Sequence, residues 1–403
     1  MIIINYMKIG LLREGKMPPD KRVPFSPIQC RDIVKKYPTI SIYIQPSSIR
    51  CFPDSEYKKN GVILTEDLSL CDVIMGVKEV PINMLIPNKL FFFFSHTIKK
   101  QPYNQELLKT IIQKKIQLVD YETLIDHNNN RIIGFGRYAG IVGCYNTFLA
   151  YGKKSKLYDL KFAHLLSDKK ELEKELLKVK LPRTLKIILT GSGRVSNGAI
   201  EILDLLNIKK VSKKDFLTTQ FDIPIYTQLL PSDYYERKDG NIGKKEDFYM
   251  NPNEYQSSLF KFCAHANILI TGHYHAPNNP ILLSKENINN KLFKIEVLGD
   301  ISCDIAGPIA STVRPSTIEH PLYGYNKVSG LEDDYNKEAN LVVMAVDNLP
   351  CSLPKDASID FGKVFIEKVL PDLLHKREII ENGSITLNGQ LTNRFTYLSD
   401  YIN

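Results

Sequence analysis

The chain has 403 residues, of which 43% are hydrophobic and 24% charged, so it can bury a large core over two or three domains. No apolar run approaches the length of a membrane span and no signal-peptide pattern begins the chain, so we expect no membrane partner. The formal charge of +8 comes from lysines spread among acidic residues, a pattern that does not predict a nucleic-acid partner.

Seven cysteines are scattered along the chain without a CxxC pair or a His–Cys cluster. This spacing predicts neither a zinc site nor a disulfide framework, and it is typical of a reducing compartment. We therefore expect a cytoplasmic protein without a bound metal.

The first third of the sequence alternates short apolar runs with helical patterns. Strands are predicted at 7–12, 40–44, 71–77, 90–95 and 116–121, and helices at 27–36, 55–60 and 104–114. Ser26 and Pro27 form a helix start, with Ser26 as the cap. This alternation predicts a doubly wound α/β sheet of mostly parallel strands.

Two of these predicted strands end in an ionisable side chain. The run ending at Val77 is followed by Lys78, and the run ending at Ser95 is followed by His96. Parallel sheets place their chemistry at the carboxyl ends of strands, and both side chains can be tuned towards neutrality for proton transfer. A single Lys or His in such a place is more often solvated or structural. The interpretation of the pair as catalytic therefore depends on the surrounding residues.

A second strand–turn–helix pattern starts at Leu185. A strand at 185–190 is followed by Gly191, Gly193 and Arg194, and a helix continues past Gly198 to about 206. Glycines let the backbone approach a pyrophosphate, and a helix N-terminus offers free N–H groups. The spacing is irregular, so an ordinary β–α turn is an equal alternative. Asp215 follows about 20 residues later and could hold a ribose, although a surface Asp is as good an interpretation.

The remaining chain predicts a long interdomain helix over 131–153 and further helical stretches at 158–165 and 169–178. Strands are predicted at 267–272, 294–300 and 339–346, a helix at 358–373, and two helices in the tail. The regions 216–262 and 309–337 are predicted to be irregular insertions. His273 and His275 have no third metal ligand at a recognisable spacing, so we interpret their loop as lining a cofactor cleft. Asp300 and Asp304 are candidates near the nicotinamide.

Several segments occur together and in a consistent order. They are REGK…DKRVPFSP, VIMGVKEVP, FSHTIKKQ, VDYETL, RIIGFGRYAG, GRVSNGAIEIL, GDISCDI and VDNLPCSLPKDAS. This set resembles the NAD-dependent, L-lysine-forming saccharopine dehydrogenases, within the alanine dehydrogenase and transhydrogenase superfamily. The resemblance implies two Rossmann-like domains, 1–140 plus 345–403 for the substrate and 141–344 for the dinucleotide, with the substrate in the cleft between them.

The resemblance also implies roles for individual residues. Lys78 would be the general base towards the secondary amine of saccharopine, and His96 would activate the water that hydrolyses the imine. Glu79 and Glu122 would tune the pKa values of these two groups. The groups that would contact substrate carboxylates or line their pocket are Arg22, Lys99, Arg131 and Phe135.

The cofactor implied by the resemblance is NAD on the turn from Gly191 to Gly198, with Arg194 near the phosphates. The family pattern has glycine at the positions of Thr190 and Ser196, so NADP stays open as an alternative. The expected partner is a small amino-acid substrate, and the chain would be a monomer or small homo-oligomer. Two other functions remain possible at this point: a dehydrogenase of a smaller amino acid such as alanine, and a non-catalytic nucleotide-binding regulator.

Overall fold

The computed structural model describes residues 6–402 except 244, 277 and 306. The chain divides into two compact units, Met1–Phe135 with Pro354–Asn403, and Gly136–Leu353. Each unit contains an eight-stranded sheet. Within the described residues, every helix is too short or too polar to cross a membrane.

The strands in chain order are β1 (Met7–Leu11), β2 (Ile40–Ile44), β3 (Ile63–Leu64), β4 (Val73–Met75), β5 (Leu90–Phe93), β6 (Gln117–Asp120), β7 (Lys186–Thr190), β8 (Lys209–Lys210), β9 (Ile225–Leu229), β10 (Tyr235–Arg237), β11 (Tyr255–Ser257), β12 (Ile268–Thr271), β13 (Val297–Asp300), β14 (Leu322–Asn326), β15 (Leu331–Asp333), β16 (Leu341–Met344), β17 (Ser384–Leu387) and β18 (Gln390–Leu391). The helices are α1 (Pro27–Lys36), α2 (Asp54–Lys59), α3 (Gln105–Gln113), α4 (Gly136–Ser155), α5 (Lys169–Leu176), α6 (Arg194–Leu205), α7 (Lys213–Thr218), α8 (Pro231–Tyr234), α9 (Lys245–Met250), α10 (Phe260–Cys263), α11 (Lys285–Asn289), α12 (Pro354–Val364), α13 (Glu378–Gly383) and α14 (Ser399–Ile402).

The sheet of the first unit has the order β18-β17-β6-β5-β4-β1-β2-β3. The strands from β6 to β3 in this order pair in parallel, and β17 and β18 add an antiparallel edge. The chain winds outward from β1 through β2 and β3, then returns to β4 on the other side of β1. The carboxyl ends of β1 and β4 therefore flank the topological switch point, where open α/β sheets bind their ligands.

Local sequence explains why these elements form. Ser26 and Gln29 make a reciprocal capping box at the start of α1, with Pro27 as the first helical residue. In β5, Phe92 packs into one core layer while Phe91 and Phe93 pack into the layer on the opposite face. A continuous apolar run is what a parallel strand covered on both faces requires.

The sheet of the second unit has the order β15-β14-β16-β13-β12-β7-β9-β8. Two predictions of irregular insertions were partly wrong here. In the region 216–262, β9 pairs in parallel with β7, inside the sheet, and only the β10–β11 hairpin forms a separate sheet. In the region 309–337, β14 and β15 extend the same sheet in antiparallel directions. Polar residues and Gly324 within these short strands obscured their periodicity.

Other boundaries also differ from the predictions. The helix predicted over 131–153 begins at Gly136, because Arg131 forms a bridge with Ile125 on the preceding hairpin. Residues 158–165 contain only a short 3-10 turn at Ala163–Leu165. The tail contains β17 and β18 in addition to helices, so the prediction of two helices alone was wrong.

Candidate active site

The polar residues of the first unit gather where β1, β4, β5 and β6 end. These strands are consecutive neighbours in the parallel part of the sheet. Glu14 follows β1, Lys78 and Glu79 follow β4, His96 follows β5, and Glu122 follows β6. Four segments far apart in sequence thus deliver ionisable groups to one edge.

Lys78 is half-buried beside the switch point. Its backbone N–H donates to Glu14 Oε2 at 2.8 Å, and the N–H of Val77 donates to Glu14 Oε1 at 2.6 Å. Burial, followed by the positive charge of Arg22, lowers the pKa of Lys78, while Asp20 and Glu79 oppose this shift. The side chain of Lys78 therefore loses its proton more readily than that of an ordinary lysine, which gives the neutral, basic amine.

Glu79 connects the ends of β4 and β5. Its Oε1 accepts a hydrogen bond from Lys16 Nζ at 2.7 Å and lies 2.8 Å from His96 Nδ1. Burial raises the pKa of Glu79, but the hydrogen bonds from His96 and Lys16 outweigh this effect and hold its pKa at about 2. The carboxylate is ionised at neutral pH and fixes the orientation of the His96 ring.

Arg22 is almost completely buried near Lys78. Its guanidinium holds Asp20 through two side-chain hydrogen bonds, at 3.0 and 2.6 Å, and lies 4.1 Å from the centroid of the Phe135 ring. Phe135 in turn stacks on Phe361, with ring centroids 4.5 Å apart. Fixed positive charge and an aromatic wall thus occur together at this edge.

Glu122 brings together two other predicted substrate-binding residues. It forms ion pairs with Arg131 Nη2 and with Lys99 Nζ, the latter at 3.5 Å. Burial raises the pKa of Glu122, and Arg131 and Lys99 reverse that effect, so its pKa is lowered. The side chains of Lys99 and Arg131 are 49% and 42% exposed, so both cations can reach a dissolved anion.

Four charged residues of this edge were missed by sequence reasoning: Glu14, Lys16, Asp20 and Asp120. The first three occupy the charged, Pro-rich loop after β1, and a loop at the end of a central strand is a signal that could have found them. Buried Asp120 accepts hydrogen bonds from the N–H and Oγ of Ser95 and from the N–H of His96. It fixes the backbone of His96, which has the left-handed φ of 53°.

In the second unit, β7 leads through the glycine turn into α6. Gly191 has φ +88°, and a Cβ there would lie 2.5 Å from the carbonyl oxygen of Gly272. At Gly193 a Cβ would meet nothing within 4 Å, so the surface beside the start of α6 is open. Half-buried Arg194 is the first residue of that helix. The open backbone and the free N–H groups of the helix N-terminus are suited to a phosphate.

The other predicted cofactor residues have different surroundings. Gly198 lies inside α6, where a Cβ would come within 2.0 Å of the carbonyl oxygen of Arg137 in α4. Exposed Asp215 lies in the first turn of α7, where its N–H donates to the capping Ser212, and α7 follows β8, which β9 separates from β7. Gly198 thus serves helix packing, and Asp215 is not brought to the glycine turn.

Asp300 and Asp304 lie at the end of β13 and in the loop after it. Asp300 is completely buried and accepts hydrogen bonds from the hydroxyls of Thr271, Ser302 and Thr312. These bonds use both carboxylate oxygens, so Asp300 stabilises the loops at this edge. Asp304 is half-buried, and its carbonyl oxygen accepts the N–H of Gly307.

One further observation supports a dinucleotide at the glycine turn. His273, after β12, lies at the same sheet edge as the glycine turn, and its buried Nε2 has no hydrogen-bond partner in the described part of the chain. An open backbone at Gly193, the start of a twelve-residue helix and a buried polar atom without a partner together suit the oxygens of a nucleotide.

Comparison with known proteins finds a family match over the first third of the chain. Residues 10–142 match the family model "Alanine dehydrogenase/PNT, N-terminal domain". The matched segment contains Glu14, Lys78, Glu79, His96 and Glu122, which form the edge described above. The match therefore covers the part of the chain that carries the clustered ionisable groups.

Relatives extend the similarity over nearly the whole chain. Alpha-aminoadipic semialdehyde synthase of Rattus norvegicus is 29% identical over 97% of this chain, which spans 47% of that relative's length. Saccharopine dehydrogenase [NAD(+), L-lysine-forming] of Yarrowia lipolytica is 25% identical, covering 91% of this chain and 92% of the relative. An L-alanine dehydrogenase structure has the same fold, with a TM-score of 0.62, 16% identity, and coverage of 98% of this chain and 100% of that one.

Proposed function

We propose that this protein is a nicotinamide-dependent oxidoreductase that oxidises saccharopine at its secondary amine, giving L-lysine and 2-oxoglutarate. The observation that carries this proposal is the position of Lys78 and His96 at the ends of adjacent parallel strands, with Glu79 acting on both. The printed name of the Yarrowia lipolytica relative supports the choice of substrate, and the match of residues 10–142 to an alanine dehydrogenase domain supports the class of reaction.

Lys78 would accept the proton of the substrate's secondary amine. Burial and then Arg22 lower the pKa of Lys78, which makes its neutral amine more accessible than that of an exposed lysine. A nicotinamide nucleotide held at the turn of Gly191 and Gly193 would supply the acceptor for the hydride that leaves the glutamate Cα of saccharopine. Loss of that hydride and of the amine proton leaves a C=N double bond in the substrate.

His96 would then activate the water that attacks the carbon of this double bond. Glu79 engages Nδ1, so Nε2 is the ring nitrogen that exchanges a proton with water. Addition of the water and cleavage of the C–N bond release 2-oxoglutarate and the amino group of lysine. Lys78 or His96 returns the proton to the leaving nitrogen.

Substrate carboxylates would be held by the cations of the same edge. Saccharopine has three carboxylates, whereas alanine has one, and a site for the larger substrate requires more fixed positive charge. Arg22 is buried beside Lys78, and Lys99 and Arg131 are partly exposed beside Glu122. This number of cations favours saccharopine over a smaller amino acid.

The first experiment follows the absorbance of the reduced nicotinamide with purified protein, NAD and saccharopine. Alanine and glutamate are tested in parallel, NADP replaces NAD in a second series, and the reverse reaction is measured with lysine and 2-oxoglutarate. We expect turnover with saccharopine and none above background with alanine. Turnover of alanine alone would mean that the substrate is a smaller amino acid and not saccharopine. Nucleotide binding without any turnover would favour a non-catalytic regulator.

A further inference from the structure

The loop after β12 approaches the glycine turn of the second unit. β12 is the parallel neighbour of β7, and Thr271 pairs with Thr190 at the end of the two strands. His273 follows two residues later and is only 8% exposed. A buried, neutral His at the edge where β7 enters its glycine turn is not needed for the proton transfers attributed to the first unit.

The hydroxyl of Thr190 contacts the His273 ring. The N–H of Gly272 donates to Thr190 Oγ1 at 3.3 Å, and the same oxygen lies 2.6 Å from His273 Nδ1. The hydroxyl has a hydrogen to donate to Nδ1, and in that arrangement the proton of the neutral ring is on Nε2. Burial lowers the pKa of His273 to about 4, in agreement with a neutral ring.

Ser196 holds the same loop from the other side. Its Oγ lies within hydrogen-bond distance of the carbonyl oxygens of Thr190 and Gly272, at 3.0 and 3.2 Å. Thr190 and Ser196 are the two positions where the glycines of the resembled family pattern are replaced. In this chain the two hydroxyls fix the loop after β12 against the glycine turn.

The arrangement leaves one polar atom unused. His273 Nε2 is buried and has no hydrogen-bond partner among the residues that the structure describes, and the ring of Tyr234 lies 5.9 Å away. Buried N–H groups are almost always paired, because an unpaired one loses its bond to water and gains nothing. The described residues supply no acceptor at this atom, and a bound ligand can supply one.

We propose that His273 is a nucleotide-binding residue whose Nε2–H donates to an oxygen of the dinucleotide, from a phosphate or a ribose. This inference rests on the proposed function, because it requires that a dinucleotide binds at the turn of Gly191 and Gly193. The ring is held in place before the ligand arrives, so little orientational freedom is lost on binding.

The test measures dissociation constants of NAD and NADH by calorimetry with the full chain. His273→Ala should weaken binding about 10-fold or more, as expected for loss of a hydrogen bond to an anionic or polar ligand. His273→Gln places an amide N–H near the position of Nε2 and should recover much of the affinity. Exposed His265, before β12, supplies the control: His265→Ala should bind both nucleotides as the original protein does.

Two further measurements distinguish the sources of the oxygen. AMP has one phosphate and one ribose, whereas ADP-ribose has the whole pyrophosphate and both sugars. A loss seen with ADP-ribose but not with AMP indicates the pyrophosphate or the second ribose. Thermal unfolding followed by circular dichroism checks that each variant is folded.

The possible outcomes separate the two proposals. If the original protein binds no dinucleotide, both the proposed function and this inference are wrong. If it binds NAD and turns over substrate, but folded His273→Ala and His273→Gln bind as tightly as the original, only the role of His273 is overturned. Weaker binding by His273→Ala with recovery in His273→Gln supports the inference. If the role of His273 were purely structural, affinity would not depend on whether the side chain has an N–H donor at this position.

Discussion

The two sheets present different chemistry at their carboxyl edges. In the first unit the edge carries charged groups in contact with one another, and burial shifts the pKa values of Glu14 and Lys78 towards neutrality. In the second unit the edge carries glycines and hydroxyls, with a neutral His273 and an Asp300 whose oxygens are both occupied. The same architecture thus supports proton exchange in one unit and hydrogen bonding without proton exchange in the other.

The difference shows that an edge, and not the fold alone, determines what a unit can do. A charged group that is buried away from water needs neighbours of opposite charge or hydrogen-bonding groups to stabilise it. The pKa values of such neighbouring groups therefore depend on one another. Hydroxyls and backbone N–H groups carry no net charge, so they can surround an anionic cofactor without such compensation. A substitution at one edge should therefore leave the properties of the other edge unchanged.

The largest effect is expected at Lys78. Replacing Lys78 with Met removes the proposed base while keeping an unbranched side chain, so kcat should fall by about 10²- to 10⁴-fold. Nucleotide affinity should be unchanged, since the glycine turn belongs to the second unit. The measurement is steady-state turnover of saccharopine, together with calorimetric binding of NAD.

Lys89→Met is the matched control for that substitution. Lys89 immediately precedes β5, at the amino end of the strand, and so lies at the opposite edge of the same sheet. Its removal should leave kcat unchanged. Full activity in a folded Lys78→Met variant would remove Lys78 as the base and weaken the contrast between the two edges.

Sequence patterns were sufficient for the parts of the fold that depend on continuous burial. The runs that form β5 and β7 contain only apolar residues or nearly so, and both form central strands. The strands β9 and β14 were missed because each contains polar residues or glycine that interrupt the apolar run. Their place in the sheet is decided by pairing with β7 and β16, which no local pattern records.

The candidate site shows the same limit. Lys78 and His96 were found because each ends an apolar run, a signal that lies within one segment. Glu14 was missed because its importance comes from hydrogen bonds to the N–H groups of Val77 and Lys78, 63 and 64 residues away. His273 was placed in a loop near the cofactor, but its contact with Thr190 depends on the adjacency of β7 and β12.

The next largest effect separates two glycines of the second unit. Gly198→Ala would push a methyl group into the carbonyl oxygen of Arg137, so it should lower the free energy of unfolding by about 2–3 kcal/mol. Gly193→Ala meets no atom within 4 Å and should leave stability nearly unchanged. The measurement is urea unfolding followed by circular dichroism.

The nucleotide affinity of the same two variants tests what each glycine is for. Gly193→Ala should weaken NAD binding, because its methyl group fills the space that a phosphate would approach. If Gly193→Ala instead binds NAD normally and Gly198→Ala is fully stable, the assignment of one glycine to the ligand and the other to packing against α4 is wrong.

The smallest effect concerns the pH dependence of stability at the first edge. Burial, followed by the charge of Asp20, raises the pKa of Glu14 from its ordinary value of 4.5 to about 8. The folded state therefore holds this proton more tightly than the unfolded state. The stability that Glu14 contributes is fully present below about pH 4.5 and is lost as the pH rises through about 8.

Glu14→Gln should abolish this loss, because an amide does not titrate. Between pH 5.5 and 8.5, the unfolding free energy of the original protein should fall more steeply with pH than that of the variant. Glu66→Gln, which changes an exposed carboxylate paired with Arg13, should reproduce the original pH dependence. Equal slopes in all three proteins would mean that Glu14 is ionised at neutral pH. The first edge would then resemble the second, with hydrogen bonds to Val77 and Lys78 as the only function of that carboxylate.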